Sequence, residues 1–212
     1  MASLSDGDHS TTGGGDMGAT PVHDMVPDWL IPPAEGFTAE DLDRLPGLPA
    51  HTELIDGSLV FVSPQAIFHM FVLRLLERRL EAAAPHGMAV VREVTISLGP
   101  RQRPEPDLMV VDTQAITDLD QSALPASSVR LAVEVVSPES QVRDRKRKPQ
   151  LYAEAGIPHF WRVEKEASAP IVYTYERDPA TGDYLGTGIH RGRLGLQVPF
   201  GIDIDLTEID RM

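Results

Sequence analysis

The sequence predicts a mixed α/β domain built around one central sheet. Two short, almost wholly apolar runs, DLMVVD at 107–112 and RLAVEVV at 130–136, read as strands covered on both faces. A long amphipathic stretch lies ahead of them and a second helical pattern lies behind, so helices flank the sheet.

The elements follow in chain order. Residues 1–25 are rich in Gly, Ser, Thr and Asp and poor in large apolar side chains, the composition of a disordered acidic tail. Residues 26–50 hold five prolines and read as an extended arm with at most a short helix over 38–44. From 51 to 212 the chain reads as a single domain. TELIDGSLVFV at 52–62 places Asp56-Gly57 between two apolar runs, which signals a hairpin. Ser63-Pro64 marks a helix start. Phe68, Phe71, Val72, Leu75, Leu76 and Leu80 then form one continuous stripe, and Pro85-His86-Gly87 ends it. Three strands are expected next, at 89–98, 107–112 and 130–136. A second helix runs from about 144 to Gly156, with Pro158 beyond as a stop signal. HFWRVE at 159–164 returns as a strand, and a β meander closes the chain.

Composition narrows the function classes. A chain of 212 residues with 42% apolar content suits one well-filled core. The absence of cysteine excludes disulfide scaffolds, cysteine zinc sites and thiol nucleophiles. No apolar run approaches the roughly 20 residues of a membrane span, and the N-terminus lacks the basic and apolar regions of a signal peptide. A cytoplasmic location is the default expectation. The net charge of −13 argues against a polyanionic partner only at first sight. Residues 1–45 carry nine acids against one base, whereas 46–200 carry 19 acids and 17 bases. The near-neutral body includes one dense basic run, RDRKRK at 143–148. Such a run can track phosphates, but it is more often a solvated charged face.

Two acids stand where acids are expensive. Asp107 opens one apolar run and Glu134 sits inside the other. Strand alternation puts Asp107, Met109 and Val111 on one face and Ala132, Glu134 and Val136 on another. If the two strands are neighbours, the carboxylates converge at one end of the sheet. They would then raise each other's pKa unless a divalent cation joined them. Hard oxygen donors of this kind suit magnesium or manganese. The competing reading leaves Asp107 in solvent and pairs Glu134 with an arginine, which explains a glutamate amid RLAVEVV less well. Asp144, Lys148 and Tyr152 recur every four positions and so lie nearly in line on a helix. Alone, Asp144 and Lys148 would read as a surface ion pair; following directly on the strand of Glu134, they become site candidates. Pro149 requires the helix to start near 145 or to bend there.

Taken together, ELIDG at 53–57, Ser63-Pro64 with His69 shortly after, PDLMVV at 106–111, VEVVSP at 133–138, D-x-x-x-K-x-x-x-Y at 144–152 and AGIPHFW at 155–161 resemble the Uma-type restriction endonuclease family of the PD-(D/E)XK nuclease superfamily. The resemblance implies a restriction-endonuclease-like αβββαβ core, with an N-terminal hairpin and a C-terminal meander. It implies magnesium-dependent hydrolysis of DNA, with manganese as a possible substitute. By this resemblance Asp107 and Glu134 would be metal ligands, with the Val135 carbonyl as a third. Glu53 would be an additional catalytic acid, although a strand residue paired to a cation explains it equally well. The superfamily's usual lysine position is Val136, which nominates Lys148 from the following helix instead. His69, Asp144 and Tyr152 would support these residues, although a lone histidine beside an apolar stripe is more often a packing or hydrogen-bonding residue than a base. Cutting both strands with one site per chain would call for a homodimer. The alternative is a catalytically inactive nuclease-fold module that binds DNA or protein, as the valine at 136 would suit.

Overall fold

The structure, a computed structural model, describes residues 27–212. The chain divides into two units, Met1–Ile31 and Pro32–Met212. The tail expected over 1–25 lies outside the described residues. In the first unit Asp28–Leu30 forms one 3-10 turn, closed by the Leu30 N–H on the Pro27 carbonyl.

The second unit opens with α1 (Ala39–Arg44). Its capping box is complete: the Thr38 hydroxyl accepts from the Asp41 N–H, and the Asp41 carboxylate accepts from the Thr38 N–H. The expected hairpin follows as β1 (Thr52–Ile55) and β2 (Ser58–Phe61). Its turn residues Asp56 and Gly57 have φ of 53° and 78°, the left-handed pair that a two-residue hairpin turn needs. The Phe37 N–H donates to the Gly57 carbonyl, so the chain before the hairpin lies against its turn.

Helix α2 (Ile67–Ala83) begins later than the Ser63-Pro64 signal suggests. Ser63 provides no side-chain cap; its carbonyl accepts from the Gln65 amide, and Gln65 Oε1 meets His69. Residues 62–66 stay outside the helix. The expected strand over 89–98 is two strands, β3 (Met88–Val91) and β4 (Thr95–Ser97). Between them Glu93 adopts φ of 55°, which turns the chain out of the main sheet. Next come β5 (Leu108–Asp112), β6 (Ala123–Pro125) and β7 (Val129–Val135). β6, too short to show in the sequence, pairs in parallel with β4. Helix α3 (Lys148–Glu154) leads into β8 (His159–Glu166), β9 (Ala169–Arg177) and β10 (Tyr184–Arg191), and the chain ends with the hairpin of β11 (Arg193–Leu196) and β12 (Ile202–Asp205).

The main sheet has the order β10-β9-β8-β7-β5-β3. Only β7 and β8 pair in parallel, across the crossover that carries α3. The succession α2, β3, β5, β7, α3, β8 is the expected αβββαβ core. One sheet face packs Leu108, Val110, Leu131 and Val133 against Leu75, Leu76 and Leu80 of α2 and against Ile202 and Ile204 of the terminal hairpin. The other face packs Met109, Val111 and Ala132 against Tyr152, Ile157 and Phe160.

The second helix is not uniform. Arg143–Arg147 forms a π turn, in which the Lys148 N–H reaches back five residues to the Arg143 carbonyl. The α-helical register starts only at Lys148, which leaves Pro149 in the first turn, where its missing donor is harmless.

Candidate active site

Strand pairing brings the two anomalous acids together. β5 and β7 are antiparallel neighbours, with Leu108 opposite Val133. Asp107, one residue before β5, therefore comes opposite Glu134, on the same sheet face as Met109 and Ala132. The Asp107 carboxylate accepts the Val135 N–H at 2.6 Å, which fixes the end of one strand to the other.

Lys148 occupies the centre. Its Nζ lies 2.7 Å from Glu53, 3.0 Å from Glu134 and 3.8 Å from Asp144, and donates to the Glu105 carbonyl at 3.4 Å. Glu53, Glu134, Asp144 and Lys148 are all buried. The second oxygen of Glu134 accepts from the Tyr152 hydroxyl, while Glu53 also accepts the Glu105 N–H. Asp107 is the most open of the set, with 21% of its side chain exposed to the cleft. His69 Nε2 stands 3.3 Å from the Asp107 carboxylate without hydrogen-bond geometry, and its Nδ1 contacts Gln65 at 2.7 Å. Every side chain singled out in the sequence thus lies in one constellation. Glu53, Asp107, Glu134, Val135, Lys148, His69 and Asp144 line a cleft of about 540 Å³, and Tyr152 stands behind Glu134.

The electrostatics follow from burial and from the count of charges. Burial pushes the Asp107 carboxyl up to about 7, against the pull of Lys148 and the Val135 N–H. Burial likewise raises Glu134 well above the usual carboxylate range, Lys148 opposing. Asp144 is raised for the same reason. Burial disfavours the charge on Lys148, yet Glu134, Glu53, Asp144 and Asp107 outweigh it and hold the ammonium firmly protonated. One buried cation faces four acids. Tyr152→Phe is expected to lower stability by about 1–3 kcal/mol, because the buried Glu134 oxygen loses its donor; chemical denaturation measures it.

The cleft also contains groups that the sequence reading passed over or treated as generic. Glu105 bridges the site through its backbone, accepting from Lys148 and donating to Glu53. Its side chain meets His51 Nδ1 at 2.6 Å. The only available signal was its place directly before Pro106-Asp107. Of the basic run, Arg145 is paired with Glu164 and Arg147 with Asp56, whereas Arg143 faces the cleft.

The Uma2 family, described as "Putative restriction endonuclease", matches residues 39–207. The chain belongs to the Uma2 family. A solved structure from Anabaena variabilis, described as a "putative nuclease belonging to DUF820", superposes with a TM-score of 0.63 at 13% identity, over 82% of this chain and 97% of that one. At that identity the likeness shows the fold alone: a nuclease-type mixed α/β sheet. NucC from P. aeruginosa in its cAAA-bound form gives a TM-score of 0.32 at 11% identity, over 59% of this chain and 85% of its own. Apo NucC from E. coli gives 0.34 at 11%, over 57% and 80%. At these TM-scores neither adds to the assignment. No curated protein matches the sequence. Family and fold together support a nuclease.

The donor set in this Uma2 chain fits a divalent ion. Its side-chain donors are hard carboxylate oxygens, and its buried negative charge exceeds the single ammonium that meets it. One Asp144 oxygen is buried with no hydrogen-bond partner. Among the described residues no three His, Asp or Glu side chains are gathered as a ready cage. A magnesium-like ion does not require one, since one or two carboxylates completed by water and phosphate oxygens suffice.

Proposed function

We propose that this Uma2 protein is a divalent-metal-dependent endonuclease that hydrolyses phosphodiester bonds in DNA. The observation carrying the reading is the convergence of Glu53, Asp107, Glu134 and Lys148 on one cleft from four segments of the chain. Asp107, Glu134 and the Val135 carbonyl would hold the ion, magnesium by preference and manganese as a substitute. When bound, it would lower the pKa of a water and polarise the phosphoryl oxygen. The chain's own groups do the rest. Lys148 would place its ammonium where negative charge grows on the transferring phosphoryl group. Glu53 and Asp144 would hold that ammonium in place, Tyr152 would orient Glu134, and His69 would orient Asp107.

Incubating supercoiled plasmid with the full chain tests this reading. Nicking or linearisation is expected with magnesium or manganese, none in EDTA, and none with Glu134→Ala. Cleavage that persists in EDTA or in Glu134→Ala overturns the assignment. One observation favours a non-catalytic module instead: Lys148 is clamped between Glu53 and Glu134, and position 136 is valine. Calorimetric titration with manganese separates the two, since only the nuclease needs a binding isotherm that Asp107→Ala abolishes. A cytoplasmic location and a homodimer belong to the same proposal, the dimer because each chain carries one such cleft. Among the described residues no helix is long and apolar enough to cross a membrane.

A further inference from the structure

We infer that the exposed apolar side chains lining this cleft bind unpaired nucleobases, so that the preferred substrate is single-stranded DNA. The inference deepens the nuclease reading above and rests on it for the reaction; the substrate class rests on observations of its own.

The cleft that holds Asp107 and Glu134 is also lined by Phe61 and Val62 at the end of β2 and by Met70 on α2. Phe61 is 45% exposed and Met70 51%. Single exposed apolar residues are ordinary, but three lining one cleft offer apolar surface to a ligand. The flat faces of unpaired bases pack on aromatic and apolar side chains regardless of sequence. A paired duplex buries those faces in its own stack and presents phosphates instead.

The charges point the same way. Duplex binding relies on many lysines and arginines laid against two backbones. Among the described residues, only Arg92, Arg143 and Lys148 supply Lys or Arg to this cleft. Lys148 is enclosed by acids, and Arg92 sits 3.5 Å from Glu77 and 3.9 Å from Glu93. Arg143 makes no ion pair among the described residues, and its buried Nε has no hydrogen-bond partner. Its neighbours in the basic run are committed elsewhere, Arg145 to Glu164 and Arg147 to Asp56. Glu93, Glu105 and Glu139 meanwhile add negative charge to the lining. One free guanidinium can meet one strand's phosphate; it cannot track two backbones. The cleft's volume of about 540 Å³ lies in the range of pockets that enclose a small molecule, the scale of single nucleotides.

Anisotropy titrations of the full chain in calcium, with labelled 12-mers, test the assignment. The three probes are oligo-dT, an abasic strand with the same phosphates, and a duplex. The wild-type chain is expected to bind oligo-dT at least tenfold more tightly than the abasic strand or the duplex. Phe61→Ala/Met70→Ala, which alters two exposed side chains, is expected to erase the preference for bases. Arg143→Ala is expected to weaken binding to oligo-dT and the abasic strand alike. Equal affinity for oligo-dT and the abasic strand overturns the inference, as does a preference for duplex or no binding at all. A double variant that keeps its preference for bases while sedimenting as a monomer, where the wild type is a dimer, overturns it too and makes these side chains a self-association face. Base-dependent binding without cleavage in any metal leaves the inference standing and removes the nuclease reading. Cleavage confined to duplex does the reverse.

Discussion

Asp107→Asn will abolish cleavage, and in EDTA at pH 8 it will melt at a higher temperature than the wild-type chain. The two effects share one cause. Burial holds the Asp107 carboxyl at about 7, against an ordinary value of 3.8. A carboxyl whose folded pKa is raised binds its proton more tightly in the native state. Its contribution is therefore full at pH below 3.8 and is lost as pH rises towards 7. Above that pH the metal-free wild type carries a desolvated negative charge beside Glu134 and Asp144. Asparagine removes the charge while keeping an oxygen for the Val135 N–H, and its amide can donate to the unpartnered His69 Nε2. The expected gain at pH 8 is a few kcal/mol at most, from about 1.4 kcal/mol per pKa unit. It should shrink towards pH 5, where the wild-type carboxyl is itself largely protonated. Divalent metal should stabilise the wild type and leave the variant unmoved. Turnover should fall by roughly a thousandfold or more, the scale of losing a metal's charge stabilisation. Thermal melts at pH 5 and pH 8, with and without manganese, decide the matter. A variant less stable than wild type at pH 8 in EDTA would remove the electrostatic account.

Lys148→Met will cost about 3–5 kcal/mol of stability and nearly all activity. Methionine matches the length of the lysine stem but leaves Glu53, Glu134 and Asp144 buried without the cation that, among the described residues, forms their ion pairs. A loss of that size is a large share of a domain's total of roughly 5–15 kcal/mol. The orphaned carboxylates can recover part of it by taking up protons, so the deficit should narrow as pH falls. Lys146→Ala is the matched control. Lys146 belongs to the same basic run but is exposed, and its loss should stay within about 0.5 kcal/mol. Urea denaturation measures both, and plasmid cleavage provides the second readout. If Lys148→Met and Lys146→Ala prove alike in stability, the ammonium does not hold the cluster together.

The core order and the residues gathered in the cleft were legible for one physical reason. Acids in apolar strands and an apolar stripe of helical period are both local patterns, and both report burial. Asp107 and Glu134 stood out because their neighbours in sequence are core residues. What sequence reading missed depends on backbone geometry that composition does not encode. The break between β3 and β4 turns on one glutamate at positive φ, an uncommon state for a non-glycine residue. The π turn before α3 is a register change with no residue signature beyond Pro149 itself. Ser63-Pro64 carried a helix-start signal, but Gln65 and His69 commit that segment to another contact. Which arginine of the basic run remains free was equally invisible, since Glu164 and Asp56 choose their partners only in three dimensions.

The clamp between the hairpin turn and the π turn has a consequence for the order of assembly. Arg147 grips Asp56 through two hydrogen bonds across 91 positions of sequence. β1 and β2 pair with each other outside the six-stranded sheet, and Leu54 of β1 is bridged to Arg103. Docking of the hairpin closes a long loop and is expected to come late; it carries Glu53 to Lys148. A partly folded chain can possess the whole sheet and still lack the candidate site. Hydrogen exchange should find the hairpin amides opening at lower free energy than those of β7, and each such opening takes the candidate site apart while the scaffold stays intact.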